Sequence, residues 1–225
     1  MHKVAALIPA LNEAGTIRTV VEGVQPFVNL VIVVDDGSSD ETAALAVASG
    51  AVVLSHERVS GKGRAVRTGL DHVLRQTSAE YVLILDGDMQ HLPGEAAGLI
   101  AAALDTEADL VAGVRRFERD DMPASRYHAN VIGSRALSSF VGVKVADTQC
   151  GYRVFRANML RRMNLRATGY DIETEMLIKV GRLGGKIVQV PVSAVYGGGH
   201  SKLRPVRDTT RTCFRAVFYR YIEHL

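Results

Sequence analysis

The sequence predicts an α/β fold, a mostly parallel sheet flanked by helices. Three observations predict it. Short apolar runs alternate with segments whose apolar residues recur at helical spacing. The runs are apolar on both faces, as in strands covered on both sides. Acids stand at the ends of the runs, where sheets of this class bind ligands.

Val4 to Ala10 reads as the first strand, and Asn12-Glu13 can cap a helix through Ile17, Val20, Val21 and Val24. Leu30 to Val34 is the second strand and runs into Asp35-Asp36-Gly37-Ser38-Ser39-Asp40. Ser38 or Ser39 can cap the next helix, with Asp40 and Glu41 in its first turn. Ala51 to Leu54 leads to Gly61-Lys62-Gly63 and a helix through Ala65, Leu70 and Val73. Tyr81 to Leu85 is the fourth strand, too short for a helix. A helix over 94–104 and a strand over 109–113 complete the alternation.

Beyond residue 114 the pattern changes. Residues 115–123 are charged and aperiodic, as in an exposed loop, and Tyr127, Val131, Leu137 and Phe140 then recur at roughly helical spacing beside Arg126 and Arg135. Asp147 to Arg153 reads as a turn entering a strand; a helix over 172–183 ends at Gly184-Gly185 before a strand over 186–190. The tail holds Gly197 to Lys202 and a basic amphipathic helix from Arg207 to Leu225. Its stripe of Phe214, Val217, Phe218, Tyr221 and Ile222 suits its own core, a second subunit or an anionic membrane surface. With no repeat or linker, residues 1–225 read as a single domain.

Lysine plus arginine number 27 against 24 acids, a mild excess that does not imply nucleic acid. Cys150 and Cys213 lack metal-ligand spacing and read as reduced thiols of a cytoplasmic protein. No apolar run is long enough to span a membrane, so any membrane contact is expected from the surface, at its inner face.

The chemistry centres on Asp86-Gly87-Asp88-Met89-Gln90-His91. Residues one apart on a strand point to opposite faces, but Gly87 at the strand end lets the backbone turn and both carboxylates reach one place. Such a pair suits a magnesium or manganese ion that keeps positions for phosphate oxygens; a solvated acidic turn is the plainer alternative. Two commoner nucleotide motifs are excluded. Ser60-Gly61-Lys62-Gly63 lacks the glycine spacing and following Ser/Thr of a P-loop, and no early G-x-G-x-x-G follows a strand.

Ile8 to Glu13, Val34 to Asp40, Gly61 to Gly63, Asp86 to His91, Asp147 to Arg153 and Gly199 to Lys202 occur in an order that resembles the glycosyltransferase family 2 enzymes of GT-A fold, in particular their polyprenyl-phosphate branch, similar to dolichol-phosphate mannose synthase. The resemblance implies inverting transfer of a sugar from a nucleoside-diphosphate sugar, with residues 1–114 binding the donor and 115–225 the acceptor. It implies that Pro9, Glu13, Asp35, Asp36 and Lys62 line the donor site, that Asp86 lies near ribose and sugar, and that Asp86, Asp88 and Gln90 hold magnesium or manganese. His200 and Lys202 are the expected cations on the leaving diphosphate. A polyprenyl phosphate is already ionised and needs positive charge, which Arg126, Arg135 and Arg153 could supply. A hydroxyl acceptor instead needs a base, for which Asp171 or Glu173 is the candidate, and Asp147 is expected to orient groups near the acceptor.

Overall fold

The computed structural model describes residues 3–115 and 145–195. Arg126, Arg135, Cys213, His200, Lys202 and the basic segment Arg207 to Leu225 lie outside them.

The elements alternate as expected: β1 (Val4–Ala10), α1 (Ile17–Val24), β2 (Leu30–Asp35), α2 (Thr42–Ala48), β3 (Val52–Ser55), α3 (Lys62–Gln76), β4 (Tyr81–Ile84), α4 (Ala96–Thr106) and β5 (Leu110–Arg115). After residue 144 come β6 (Arg153–Arg156), α5 (Ala157–Arg161), α6 (Ile172–Arg182) and β7 (Ile187–Val192). They form one seven-stranded sheet in the order β3-β2-β1-β4-β6-β5-β7. Among the described strands only β6 runs against its neighbours, wedged between β4 and β5.

Side chains alternate across the sheet, and the two faces bury separate cores. Leu7, Ile32, Val34 and Ile84 pack under α3 and α6, while Ile8, Val31, Val33 and Leu83 pack under α1 and α4. Strands buried on both faces are therefore apolar throughout, which is why they carry no alternating sequence pattern.

Both helix starts read from the sequence need correction. α1 begins after Thr16 without a side-chain cap, and Asn12 sits at φ 53 with its side-chain oxygen accepting Ser39 N–H at 2.8 Å. Ser38 and Ser39 do not cap α2, and Asp40 and Glu41 precede its first turn; Glu41 is at the cap position, and Asp40 Oδ1 accepts the Thr42 N–H at 3.0 Å and the Thr42 hydroxyl. Asn12 and Ser39 thus tie the loop after β1 to the loop after β2. The reading of 115–123 as an exposed loop also starts too early, since Arg115 ends β5.

Gly61 shows what the loop into α3 demands. Its φ of +99° suits glycine, and a Cβ there would collide with Thr168 O. Gly63 is equally confined, a Cβ meeting Ala167 O at 2.7 Å. Gly61→Ala is expected to destabilise the fold by about 2–3 kcal/mol, combining backbone strain with overpacking. A urea midpoint equal to that of the wild type would contradict this.

Candidate functional site

Register brings the loops together. Ala10 lies opposite Asp35, Asp35 opposite Ser55, and Ile84 opposite both Leu7 and Arg153. The loops leaving β1, β2, β3 and β4, and the one entering β6, therefore share one edge of the sheet.

At the centre of that edge Lys62 bridges two carboxylates. Its Nζ is 2.6 Å from Asp86 Oδ1 and 2.6 Å from Glu173 Oε1, and it lies 5.8 Å from the centre of the Tyr170 ring. Gly151 backs this group so closely that a Cβ would stand 2.7 Å from Asp86 Oδ2. Burial alone would lower the Lys62 pKa, but Asp86 and Glu173 more than reverse it and the ammonium is held charged. For Asp86 burial acts upward and Lys62 acts downward, with the net value below the ordinary carboxylate range. The Asp88 carboxyl is raised, first by burial and then by the charge of Asp86. Its Oδ1 accepts Gln90 N–H at 3.1 Å.

This is a fit for a hard divalent cation. Asp86 and Asp88 are near enough that burial and the charge of Asp86 make Asp88 costly to ionise, and a cation would remove that cost. Among the described residues no cluster of three His, Cys, Asp or Glu side chains forms a closed metal cage. Few protein ligands is what magnesium sites that share their ion with phosphates use.

At the β2 end the carboxylates hold the chain itself. Asp36 is buried, its Oδ2 accepting Gly61 N–H at 2.7 Å and its Oδ1 accepting Ser60 N–H at 3.0 Å. His56 Nδ1 is 2.7 Å from the same Oδ1, and its Nε2 is 3.0 Å from Thr68 Oγ1. Asp36 thus holds the loop that delivers Lys62. Asp35 Oδ1 accepts Ser38 N–H, Glu13 N–H donates to Thr42 Oγ1 at 2.8 Å, and Pro9 is buried in β1. Thr16 Oγ1 donates to Gly87 O at 2.6 Å, fastening the start of α1 to the acidic turn.

On the far side of β4, Asp147 is paired bidentately with Arg115, Nε to Oδ2 at 2.6 Å and Nη2 to Oδ1 at 3.0 Å. Arg153 is 1 % exposed and its three guanidinium nitrogens donate to Cys150 O, Glu173 O and Thr148 O. It braces the turn before β6 rather than extending toward an acceptor. Of the two helix-start acids Glu173 reaches Lys62, while Asp171 is buried at the amino end of α6.

Arg115, Thr16, His56 and Gly151 were not singled out from the sequence. Arg115 was submerged in a charged run, and Gly151 stood inside a motif without a signal for its close approach. His91 donates from Nδ1 to Ser193 O at 3.3 Å, since a carbonyl only accepts. Its neutral ring then accepts at Nε2 from the Cys150 thiol at 3.6 Å. Burial supports both assignments, lowering the His91 pKa and pushing the thiol up to about 12.

Comparison with known proteins matches residues 5–166 to the profile of Glycosyl transferase family 2. An undecaprenyl-phosphate mannosyltransferase of Micrococcus luteus is 31% identical over 86% of this chain and 84% of that protein. A UDP-N-acetylglucosamine–dolichyl-phosphate N-acetylglucosaminyltransferase of Methanococcus voltae is 27% identical over 96% and 93%. A crystal structure of glucosyl-3-phosphoglycerate synthase from Mycobacterium tuberculosis, in complex with Mn2+, uridine diphosphate and phosphoglyceric acid, superimposes with a TM-score of 0.75, 25% identity and coverage of 97% and 78%.

Asp147 gives this edge a pH signature. Burial opposes its ionisation, yet the Arg115 guanidinium holds the folded pKa below the ordinary value. The stabilisation is therefore complete above about pH 4 and is lost as pH falls through the folded pKa. Asp147→Asn is expected to cost about 1.5–3 kcal/mol at neutral pH, the worth of hydrogen bonds between charged groups. Urea midpoints of the two proteins should converge in acid; a gap unchanged there would assign the loss to shape instead of charge.

Proposed function

This chain belongs to glycosyl transferase family 2, and from that premise we propose that it is a GT-A enzyme moving a sugar, with inversion, from a nucleoside-diphosphate sugar to a phosphate-bearing acceptor, a polyprenyl phosphate in the favoured reading. The observation that carries this is the Asp86 and Asp88 pair at the carboxyl end of β4, where burial and mutual repulsion raise Asp88. Asp86, Asp88 and Gln90 would hold magnesium or manganese, which when bound supplies charge to stabilise the leaving diphosphate. The manganese and uridine diphosphate in the mycobacterial synthase support that choice.

Residues 1–114 form the donor half of this proposal and 115–225 the acceptor half. Lys62 sets the orientation of Asp86, and Asp36 sets the loop that brings Lys62 there. The acceptor oxygen attacks the anomeric carbon from the side opposite the diphosphate, which departs with the bonding electron pair. His200 and Lys202 belong to the chain that continues from Val195, whose N–H donates to Gln90 O at 3.0 Å. Both lie outside the described residues and are the proposed cations on the leaving diphosphate. Arg126 and Arg135 are the proposed phosphate ligands on the acceptor side.

The lipid-phosphate acceptors named for the Micrococcus and Methanococcus proteins support the favoured reading. Among the described residues no helix is long and apolar enough to cross a membrane, and peripheral attachment from the cytoplasmic face through the basic tail is proposed. A second reading, transfer to a hydroxyl of a soluble phosphorylated acid, is supported by the phosphoglyceric acid in the mycobacterial synthase and by Glu173. That carboxylate is buried with Oε1 on Lys62 and Oε2 without a hydrogen-bond partner.

Asp88→Asn is expected to abolish transfer while leaving the urea midpoint near that of the wild type, and chelation should do the same to the unmodified protein. Turnover in chelator equal to that with manganese would refute the cation. Because the Asp88 carboxyl is raised, protons compete with the ion, and manganese affinity should fall as pH drops through that pKa. A flat titration from neutral to acid pH would count against Asp88 as ligand. Acceptor choice is decided by sugar transfer to a short polyprenyl phosphate in detergent. Arg126→Ala or Arg135→Ala should each cost about 1.5–3 kcal/mol in kcat/KM. Full activity in both, with loss in Glu173→Gln, would select the soluble acceptor.

A further inference from the structure

The turn that carries Asp88 is held from outside its own backbone. The last ladder bond before it runs from Leu85 N–H to Leu7 O at 3.2 Å. Met89 then adopts φ 59, a left-handed conformation that a side chain with a Cβ takes at a cost of about 1–2 kcal/mol. Such conformations persist where the surroundings over-determine them.

The surroundings are the end of β7 and the turn before β6. Ser193 N–H and Oγ–H both donate to the Glu95 carboxylate, at 3.0 and 2.9 Å to Oε1. His91 Nδ1–H donates to Ser193 O at 3.3 Å, and Val195 N–H donates to Gln90 O at 3.0 Å. From the other side Tyr152 Oη–H reaches Pro93 O at 3.1 Å, and the His91 ring lies 5.4 Å from the Tyr152 ring. The segment from Gln90 to Glu95 is gripped along its length, immediately after the two acids.

We propose that Glu95 and His91 are positioning residues of the divalent-cation site, clamping the Gln90–Glu95 segment to the end of β7 and thereby fixing where Asp88 and Gln90 point. This rests on the reading that Asp86, Asp88 and Gln90 hold the ion. A small cation tolerates little deviation from octahedral geometry, so the precision of its oxygens is worth supporting from behind. Glu95 acts through Ser193, and His91 acts through the backbone it shares with Gln90.

The test is manganese binding, followed by the paramagnetic resonance of the free ion, in the presence of whichever of UDP and GDP raises the melting temperature of the full chain more. Wild type, Asp88→Asn, Glu95→Ala, Glu95→Gln, His91→Phe, His91→Asn and Ser193→Ala are compared, each with its urea midpoint. Wild type should bind and Asp88→Asn should not. Glu95→Ala and His91→Phe should weaken binding roughly tenfold or more, the effect usual for groups behind metal ligands. Glu95→Gln, which still accepts Ser193 N–H, and His91→Asn, which still donates to Ser193 O, should recover most of the affinity. Ser193→Ala, which removes only the hydroxyl bond, should weaken binding without lowering the midpoint appreciably, and so separates positioning from unfolding. Wild-type affinity in Glu95→Ala and His91→Phe overturns the clamp and leaves the cation reading intact. No manganese bound by wild type overturns the cation reading and the clamp with it.

Discussion

One ammonium group organises the site. Lys62 takes a carboxylate from the loop after β4 and another from the first turn of α6, two parts of the chain that share no backbone hydrogen bond there. Without it the two acids would face one another in a buried place, at a cost far above that of exposed charges. The position of the ammonium is in turn fixed by Gly61, whose N–H is held by Asp36 and whose own lack of a side chain admits Thr168 O. A carboxylate at the end of β2 therefore holds the loop that brings an ammonium to Asp86. The dependence runs through a loop and needs no direct contact between the two acids.

The same economy applies to the turn on the other side. Arg153 and the Arg115–Asp147 pair hold the stretch from Ala146 to Tyr152 in place, and Gly151 then lies directly against Asp86. Buried ion pairs of this kind add little net stability over well-packed apolar groups. What they supply here is a unique arrangement of loops that have no ladder to register them.

The alternation of strands and helices was legible because crossover units repeat apolar runs and helical periods in order. The acids at the strand ends were legible for the same reason, since ends of runs can be located without coordinates. The reversed direction of β6 was not, because an apolar run carries no sign of its direction. Caps failed on chemistry: Asn12 and Ser39 are the residue types that close helices, and here they hydrogen-bond to each other across two loops. Arg153 stood in a motif beside other site residues, yet its partners are carbonyls from Thr148, Cys150 and Glu173, which only the folded chain gathers. Glu95 and Ser193 lie far apart in sequence and carry no motif, so their pairing left no trace in the order of residues.

The reversed strand also joins the two parts of the sheet. Strands β3, β2, β1 and β4 pair directly with one another, whereas β5 and β7 reach them in this sheet only through β6. Pairing β1 with β2 and β2 with β3 closes short stretches of chain, whereas pairing β1 with β4, Leu7 to Ile84, and β4 with β6, Ile84 to Arg153, each closes a long one. During synthesis the amino-terminal half can form its sheet, with Asp86 and Asp88 at its rim, before Gly151 and the Cys150 to Tyr152 turn exist to back them. For that interval Asp86 lacks the close backing of Gly151 that the finished sheet gives it.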